Sequence, residues 1–150
     1  MKRNELRELA MRLTFSAGID PRPAQAVLEE FLEQEYYKSL EEEDELYESR
    51  PETQEELSYL HALVFGVHEH LAELDSYIEK YAKDWKVGRI SRVIVAICRV
   101  SMYEILYMPE IPGGVAINEA IEIAKTYEEA NTVAFLNGIL GSFIRGEMPQ

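Results

Sequence analysis

The sequence predicts an all-α protein, and three observations lead to this prediction. Apolar residues recur at three- and four-residue spacing along most of the chain, helix-starting residues precede these stretches, and no stretch shows the alternation typical of a strand. The length of 150 residues suits one hydrophobic core. We therefore expect a single helical domain over residues 1–150.

The first two helices are indicated by periodicity and by residues that begin or end a helix. Residues 4–17 place Leu and Ala at helical spacing, and Gly18 can end this helix in a left-handed conformation. Pro21 and Pro23 are suited to open the next helix, whose apolar pattern continues to about Tyr37.

An acidic segment separates these helices from the third. Residues 39–52 contain five consecutive acidic residues from Glu41 to Glu45 and offer little to bury, so we expect a solvated, mobile insertion. A third helix then starts at a capping box, in which the Thr53 hydroxyl and the Glu56 carboxylate can each accept a hydrogen bond from the other residue's backbone N–H.

The remaining helices differ in how much of their surface is apolar. Residues 71–81 show one apolar stripe, whereas residues 90–106 have almost no polar face and are predicted to run through the centre of the fold. Two more helices are predicted at 115–127 and at about 132–144, with Asn131 as the cap of the second.

Two glycines and several polar residues interrupt these apolar helices. Gly138 and Gly141 indicate close backbone packing, because glycine inside a helix costs about 1 kcal/mol. The polar residues either form buried hydrogen bonds that fix helix register or provide a face for a partner. They are Glu104, Asn118, Glu119 and Asn137.

The net charge of −13 argues against a nucleic-acid partner until its distribution is considered. Residues 29–56 hold 13 acidic and 2 basic residues, so the rest of the chain is almost neutral. Basic residues cluster at the N-terminus, where they form either a solvated helix face or an anion-binding face. These residues are Lys2, Arg3, Arg7 and Arg12.

Other function classes receive no support from the sequence. The chain has no apolar run of about 20 residues and no signal peptide, which predicts a cytoplasmic protein without a membrane span. His68 and His70 would point in nearly opposite directions on one helix, so we expect no metal, and Cys98 should be a buried, inert thiol. Without phosphate-binding loops or a nucleophile with its base, neither an enzyme nor a cofactor is expected.

Short motifs occur in a consistent order along nearly the whole chain. They are Arg7–Ala10, Gly66-Val67, Trp85-Lys86 with Arg89-Ile90, Arg99–Glu104, Pro112 with Val115–Glu122, Ala124-Lys125 and Phe135–Leu140. In these motifs the chain resembles the NusB family of transcription antitermination factors. The resemblance implies a compact bundle of about seven helices in two packed halves.

The same resemblance implies a non-enzymatic, RNA-binding adaptor. Members of the family pair with NusE, a ribosomal small-subunit protein, and together they hold boxA RNA in the RNA polymerase antitermination complex during ribosomal RNA synthesis. The resemblance assigns RNA-phosphate contacts to the N-terminal cations, base stacking to Phe135, and neighbouring RNA contacts to Asn137 and Glu119. The phosphate-contacting residues are Lys2, Arg3, Arg7 and Arg12.

Two features of the sequence keep an alternative open. The net charge is strongly negative, and Ala134 stands where members of the family often carry Lys. A protein interaction module of the same fold, or a homodimer that hides the RNA face, would then have weak or lost RNA binding. NusE would be expected along the central helix and its neighbours.

Overall fold

The structure is a computed structural model and describes residues 1–17, 22–33, 37–38, 40–41, 44–83 and 87–148. Within these ranges the chain forms seven α-helices and no strand, which confirms the all-α prediction. No described helix is long and apolar enough to cross a membrane. The helices are α1 (Arg3–Ala17), α2 (Ala24–Leu32), α3 (Gln54–Glu69), α4 (Leu71–Tyr81), α5 (Arg92–Tyr107), α6 (Gly113–Ala124) and α7 (Ala130–Glu147).

The helices fall into two compact units, residues 1–68 and 69–150. In the first unit α1 packs on α2. Leu9 on α1, Leu28 on α2 and Leu60 on α3 are completely buried. Since burying one such side chain contributes about 1.5 to 3 kcal/mol, this apolar core stabilises the first unit.

In the second unit α5 contacts α4, α6 and α7. Almost every side chain of α5 from Ile94 to Ile105 is buried, so the predicted central helix is confirmed for this unit. Cys98 lies on this helix and is fully buried, and burial raises the pKa of its thiol to about 12. The thiolate is therefore strongly disfavoured, as expected for an inert cysteine.

The predicted capping box at the start of α3 is present. The Glu56 backbone N–H donates to Thr53 Oγ1 at 3.1 Å, and the Thr53 N–H donates to Glu56 Oε2 at 3.1 Å. Two backbone donors that the helix itself cannot satisfy thereby gain acceptors, which fixes where α3 begins.

The prediction that the second helix reaches about Tyr37 is wrong. α2 ends at Leu32, and its C-cap Glu33, with φ of −58° and ψ of 129°, leaves the helical conformation. This break lets the Tyr37 ring pack edge-on against Phe31, with ring centroids 5.5 Å apart. Gly18 and Pro21, which were predicted to end α1 and open α2, lie outside the described residues.

The acidic insertion predicted over residues 39–52 is partly folded. A 3₁₀ helix covers Glu45–Glu48, and its first turn is capped by the Asp44 side chain, which accepts from the Leu46 N–H at 2.9 Å. Leu46 and Tyr47 are buried. The buried Leu46 and Tyr47 and the Asp44 cap thus belong to a folded part of this segment, while residues 39, 42 and 43 lie outside the described ranges.

Two predictions for the last helix also require correction. α7 begins at Ala130 with Glu129 as N-cap, not with Asn131, whose Oδ1 accepts from the Thr132 N–H inside the first turn. Gly138 is exposed, and a Cβ atom added there would meet nothing within 4 Å. At Gly141 only the Arg145 side chain of the same helix comes near. Neither glycine is explained by close packing between helices.

Candidate nucleic-acid interface

The start of α1 is held in place by hydrogen bonds that do not use its cationic side chains. The Lys2 backbone N–H donates to Glu5 Oε1 at 2.8 Å, and the Met1 ammonium group pairs with Glu56 Oε1 at 2.8 Å. Since the backbone provides these contacts, the side chains of Lys2 and Arg3 remain exposed. This arrangement presents two positive charges at one end of the first unit.

Glu56 accepts hydrogen bonds from three directions. The N-terminal ammonium group binds Oε1, while the N–H groups of Glu52 and Thr53 donate to Oε2 at 2.7 and 3.1 Å. The ammonium group, followed by these two N–H groups, lowers the pKa of the Glu56 carboxyl to about 2. In return, the hydrogen bond to Glu56 raises the pKa of the Met1 amine above 8.0.

Arg3 is oriented but remains available for a ligand. Its guanidinium carbon lies 4.0 Å from the centre of the Tyr59 ring, within the range of a cation–π contact. Its only described ion pair is with Glu55 at 3.8 Å, and 88% of the Glu55 side chain is exposed. Exposed pairs of this kind contribute little, so an RNA phosphate could replace Glu55 at low cost.

Arg7 and Arg12 occupy different environments from Lys2 and Arg3. Arg7 is only 5% exposed and already has a partner within the chain, which argues against the phosphate contact expected from the sequence. Arg7 lies four residues after Arg3, so the sequence placed both arginines on one helical face. Periodicity does not show which part of that face is buried by the rest of the protein.

Arg12 links α1 to the folded part of the acidic segment. Its guanidinium donates to Asp44 Oδ2 at 2.8 Å, to Glu8 Oε1 at 3.2 Å and to the Tyr47 hydroxyl at 3.2 Å. These bonds engage its charge within the protein, so the geometry supports a structural role. Of the four predicted cations, only Lys2 and Arg3 are exposed.

The predicted residues of the second unit lie on two helices. Glu119 is half-buried on α6, and the adjacent Asn118 is exposed. On α7, Phe135 is half-buried and Asn137 is exposed. Residues two positions apart on a helix point about 200° away from each other, so Phe135 and Asn137 flank the buried stripe of α7 on opposite sides and do not form one contact surface.

Phe135 lines a cleft within the second unit that sequence analysis did not predict. The cleft has a volume of about 410 Å³ and lies between the start of α5 and the start of α7. Ile90 and Ile94 provide apolar walls beside the phenyl ring, whereas the other lining residues are polar or charged. Those residues are Arg89, Ser91, Glu128, Asn131 and Thr132.

The polar side of this cleft combines a positive and a negative group. Ser91 Oγ donates to Glu128 Oε1 at 2.6 Å, which fixes the carboxylate. Arg89 is exposed and has no ion pair within the described part of the chain. In the sequence, the cluster of basic residues between 80 and 99 could have indicated Arg89 as a site residue. Asn131 could have been found because it lies four residues before Phe135, on the same helical face. Lys86 lies outside the described residues.

The histidines take part in ring contacts. His61 stacks on Phe65 with ring centroids 4.9 Å apart, and His70 lies 4.3 Å from the Tyr107 ring. Among the residues that the structure describes, no three His, Cys, Asp or Glu residues are grouped as metal ligands. Both arrangements are those of packed aromatic side chains.

Comparison with known proteins identifies the family of this chain. The sequence model of the NusB family matches residues 4–145. The chain belongs to the NusB family. A transcription antitermination protein NusB from Thermoanaerobacter sp. (strain X514) is 37% identical over 147 residues, covering 98% of this chain and 93% of that protein.

Solved NusB structures share the fold. T. maritima NusB superimposes with a TM-score of 0.80 at 27% identity, covering 99% of this chain and 94% of that one. A chain from a crystal structure of the antitermination factors NusB and NusE in complex with dsRNA gives a TM-score of 0.76 at 18% identity, covering 95% of this chain and 96% of that one. The helical architecture described above is therefore that of NusB proteins.

Proposed function

We propose that the protein is an RNA-binding adaptor of transcription antitermination, which binds boxA-type RNA together with NusE during ribosomal RNA synthesis. The observation that carries the proposal is family membership over nearly the whole chain, with curated relatives named transcription antitermination proteins. A chain of the same fold has been solved with NusE and dsRNA. The adaptor would act in the cytoplasm, without catalysis and without a cofactor.

Two surfaces of the chain support RNA as the ligand. Lys2 and Arg3 are exposed at the start of α1, where they can contact phosphates. Phe135 lines a cleft beside the exposed Arg89, an aromatic and cationic pair suited to an unstacked base and its phosphate. Asn137 and Glu119 remain proposed RNA contacts, on the opposite side of α7 and on α6, respectively.

The proposal predicts cooperative and salt-sensitive binding. Labelled boxA RNA should bind more tightly when NusE is present, and binding should weaken as salt rises because phosphate contacts release counterions. Replacing both Lys2 and Arg3 with Ala should lower affinity and reduce the slope of log affinity against log salt by about 1.4, the value for two contacts to single-stranded RNA.

A matched control distinguishes local contacts from the general effect of charge. Lys38 is exposed in the same unit but lies outside α1, so Lys38→Ala should leave the salt slope unchanged. If NusE does not increase boxA binding, the proposed function is wrong. If the Lys2/Arg3 double variant retains the full salt slope, the α1 surface is not the RNA contact.

The engagement of Arg7 and Arg12 within the protein favours one alternative. With only two exposed cations on α1 and a net charge of −13, the chain could act as a protein interaction module or homodimer with weak RNA binding. Sedimentation at several concentrations tests the homodimer. A concentration-dependent dimer that dissociates when NusE and RNA are added would favour an RNA face hidden in the dimer.

A further inference from the structure

We propose that a groove on the first unit binds a basic, amphipathic helix of a partner protein. This groove, called the α3 groove below, is lined by Leu32 at the end of α2, by residues 50–52 and by one face of α3 from Gln54 to Phe65. Its volume is about 1090 Å³, and all of its lining residues belong to the first unit. The proposal goes beyond RNA binding, because it assigns a protein ligand to a separate surface.

α3 is apolar on two faces, and the core covers only one of them. The residues of the core stripe are at most 1% exposed. They are Leu60, Leu63, Val64 and Val67. A second stripe, formed by Leu57, Ala62 and Phe65, is only half-buried and lines the α3 groove. Since a surface helix usually carries polar residues on the side away from its core, this second stripe indicates a contact with another molecule.

An aromatic pair forms the wall at one end of the groove. The exposed His61 ring stacks on the half-buried Phe65 ring, with centroids 4.9 Å apart and an angle of 15° between the ring planes. The imidazole covers one side of the phenyl ring and thereby orients it. The two rings together give a broad apolar surface against which a side chain of a partner can pack.

The surroundings of the groove are strongly acidic. Residues 29–56, which provide its α2 end and residues 50–52, hold 13 acidic and 2 basic residues. No basic residue lies in the last turn of α2, where the helix dipole is negative. Glu52 is exposed at the rim. A ligand with positive charges beside its apolar face therefore complements the groove.

Arg50 does not cancel this negative charge for a ligand. It is the one Lys or Arg among the described residues that line the groove. Its guanidinium donates to the Leu32 carbonyl oxygen at 2.7 Å and lies 5.4 Å from the centre of the Tyr37 ring. Arg50 thus stabilises the end of α2, where the last carbonyl groups lack partners within the helix.

The length of the groove fits a helix of about three turns. Gln54 and Phe65 are 11 residues apart on α3, which corresponds to about 16 Å. The volume slightly exceeds the range typical of small-ligand sites, about 300 to 1,000 Å³. An amphipathic helix fills such a groove with apolar anchors at positions i, i+3, i+4 and i+7. RNA phosphates, in contrast, would be repelled by the acidic surroundings.

Nitrogen-15 NMR of the full chain, titrated with three synthetic peptides, tests this proposal. The first peptide has Leu at i, i+3, i+4 and i+7 and Lys at the flanking positions, the second has the same composition in scrambled order, and the third carries Glu in place of Lys. We expect the first peptide to shift the amide signals of residues 50–65 and to bind at least about tenfold more tightly than the other two. The scrambled peptide controls for general attraction of cations to an acidic protein.

Two variants and a matched control test the groove itself. Phe65→Ala removes its largest apolar side chain and should weaken binding of the first peptide at least about fivefold. Ser58→Lys changes an exposed residue, so it should fold, and it places a cation in the groove. It should weaken binding of the Lys peptide and strengthen binding of the Glu peptide. Ser76→Lys makes the same change at an exposed serine of α4 and should alter neither affinity.

Several outcomes would overturn the proposal. They are equal binding of the three peptides, preference for the Glu peptide, shifts outside residues 50–65, and no binding at all. Shifts of these amides by boxA RNA or by NusE would assign the groove to RNA or to NusE instead. A dimer that Phe65→Ala dissociates in sedimentation would assign it to a second copy of the chain. Absence of boxA binding would refute the proposed function and leave the groove proposal standing.

Discussion

The guanidinium of Arg12 donates a hydrogen bond of 2.8 Å to the carboxylate of Asp44, across 32 residues of sequence. Asp44 also caps the 3₁₀ helix Glu45–Glu48 through the Leu46 N–H. This N–H, and then Arg12, lowers the pKa of the Asp44 carboxyl below its usual value. Arg12 therefore joins α1 to the folded part of the acidic segment.

Arg12→Ala should lower the free energy of unfolding by about 1 to 2 kcal/mol, because it removes the charged hydrogen bonds to Asp44 and Glu8. Urea denaturation measures this change. Arg22→Ala is the control, since Arg22 and its partner Glu30 are about half exposed and such pairs contribute less than about 1 kcal/mol. Unchanged stability of the Arg12 variant with reduced RNA binding would instead support the phosphate contact.

The ion pair between Met1 and Glu56 predicts a pH window of stability. The pKa of Glu56 is lowered from 4.5 to about 2, so its contribution is present above about pH 4.5 and disappears as the pH falls towards 2. The pKa of the Met1 amine is raised, so its contribution is present below pH 8.0 and disappears as the pH rises through the raised value.

Thermal unfolding of Glu56→Gln against the unmodified chain checks this window. The difference in melting temperature should be largest between about pH 5 and pH 7 and should shrink on both sides. Glu55→Gln changes an adjacent carboxylate with 88% exposure and should produce almost no difference. A difference that stays constant with pH would contradict the role of the ion pair.

Gly138 offers a gain in helix stability. It is exposed in the interior of α7, and an added Cβ would meet nothing within 4 Å. Gly138→Ala should therefore raise the free energy of unfolding by about 0.5 to 1 kcal/mol, because alanine loses less backbone entropy in a helix. Urea denaturation measures the gain. A stable variant with weakened boxA binding would show that a partner approaches the backbone at this position, whereas a loss of stability would contradict the open space.

Lys83 adopts a left-handed backbone conformation with φ of 40°, directly after the C-cap of α4. Glycine adopts this conformation without the steric cost that a Cβ imposes. Lys83→Gly should therefore be more stable than Lys83→Ala by about 1 kcal/mol, a comparison in which both variants lose the same charge. Equal stabilities of the two variants in urea would show that the strain is relieved in another way.

Periodicity and capping rules predicted most of the helices. Thr53 and Glu56 form the predicted capping box, and the apolar run of α5 is buried as expected. These signals are local, because they depend on residues within one or two turns. The end of α2 at Leu32 was missed because the contacts of Tyr37 with Phe31 and Tyr47 depend on packing, which the local periodicity does not show.

The candidate site was harder to predict, since it depends on which charges already have partners. The sequence grouped Arg7 and Arg12 with Lys2 and Arg3, but burial removes Arg7, and Asp44, 32 residues away, engages Arg12. Phe135 was identified by resemblance, whereas Glu128 and Ser91 come together only through the packing of the second unit. Neither their spacing nor their residue types indicated this contact.

The pairing of Met1 with Glu56 has a practical consequence for protein production. Acetylation, a retained formyl group or an N-terminal affinity tag would convert the ammonium group into an uncharged amide and remove the cation nearest to Glu56. The same change would add chain directly before Lys2 and Arg3. Recombinant material intended for RNA measurements should therefore carry its tag at the C-terminus, with the first amine chemically unmodified.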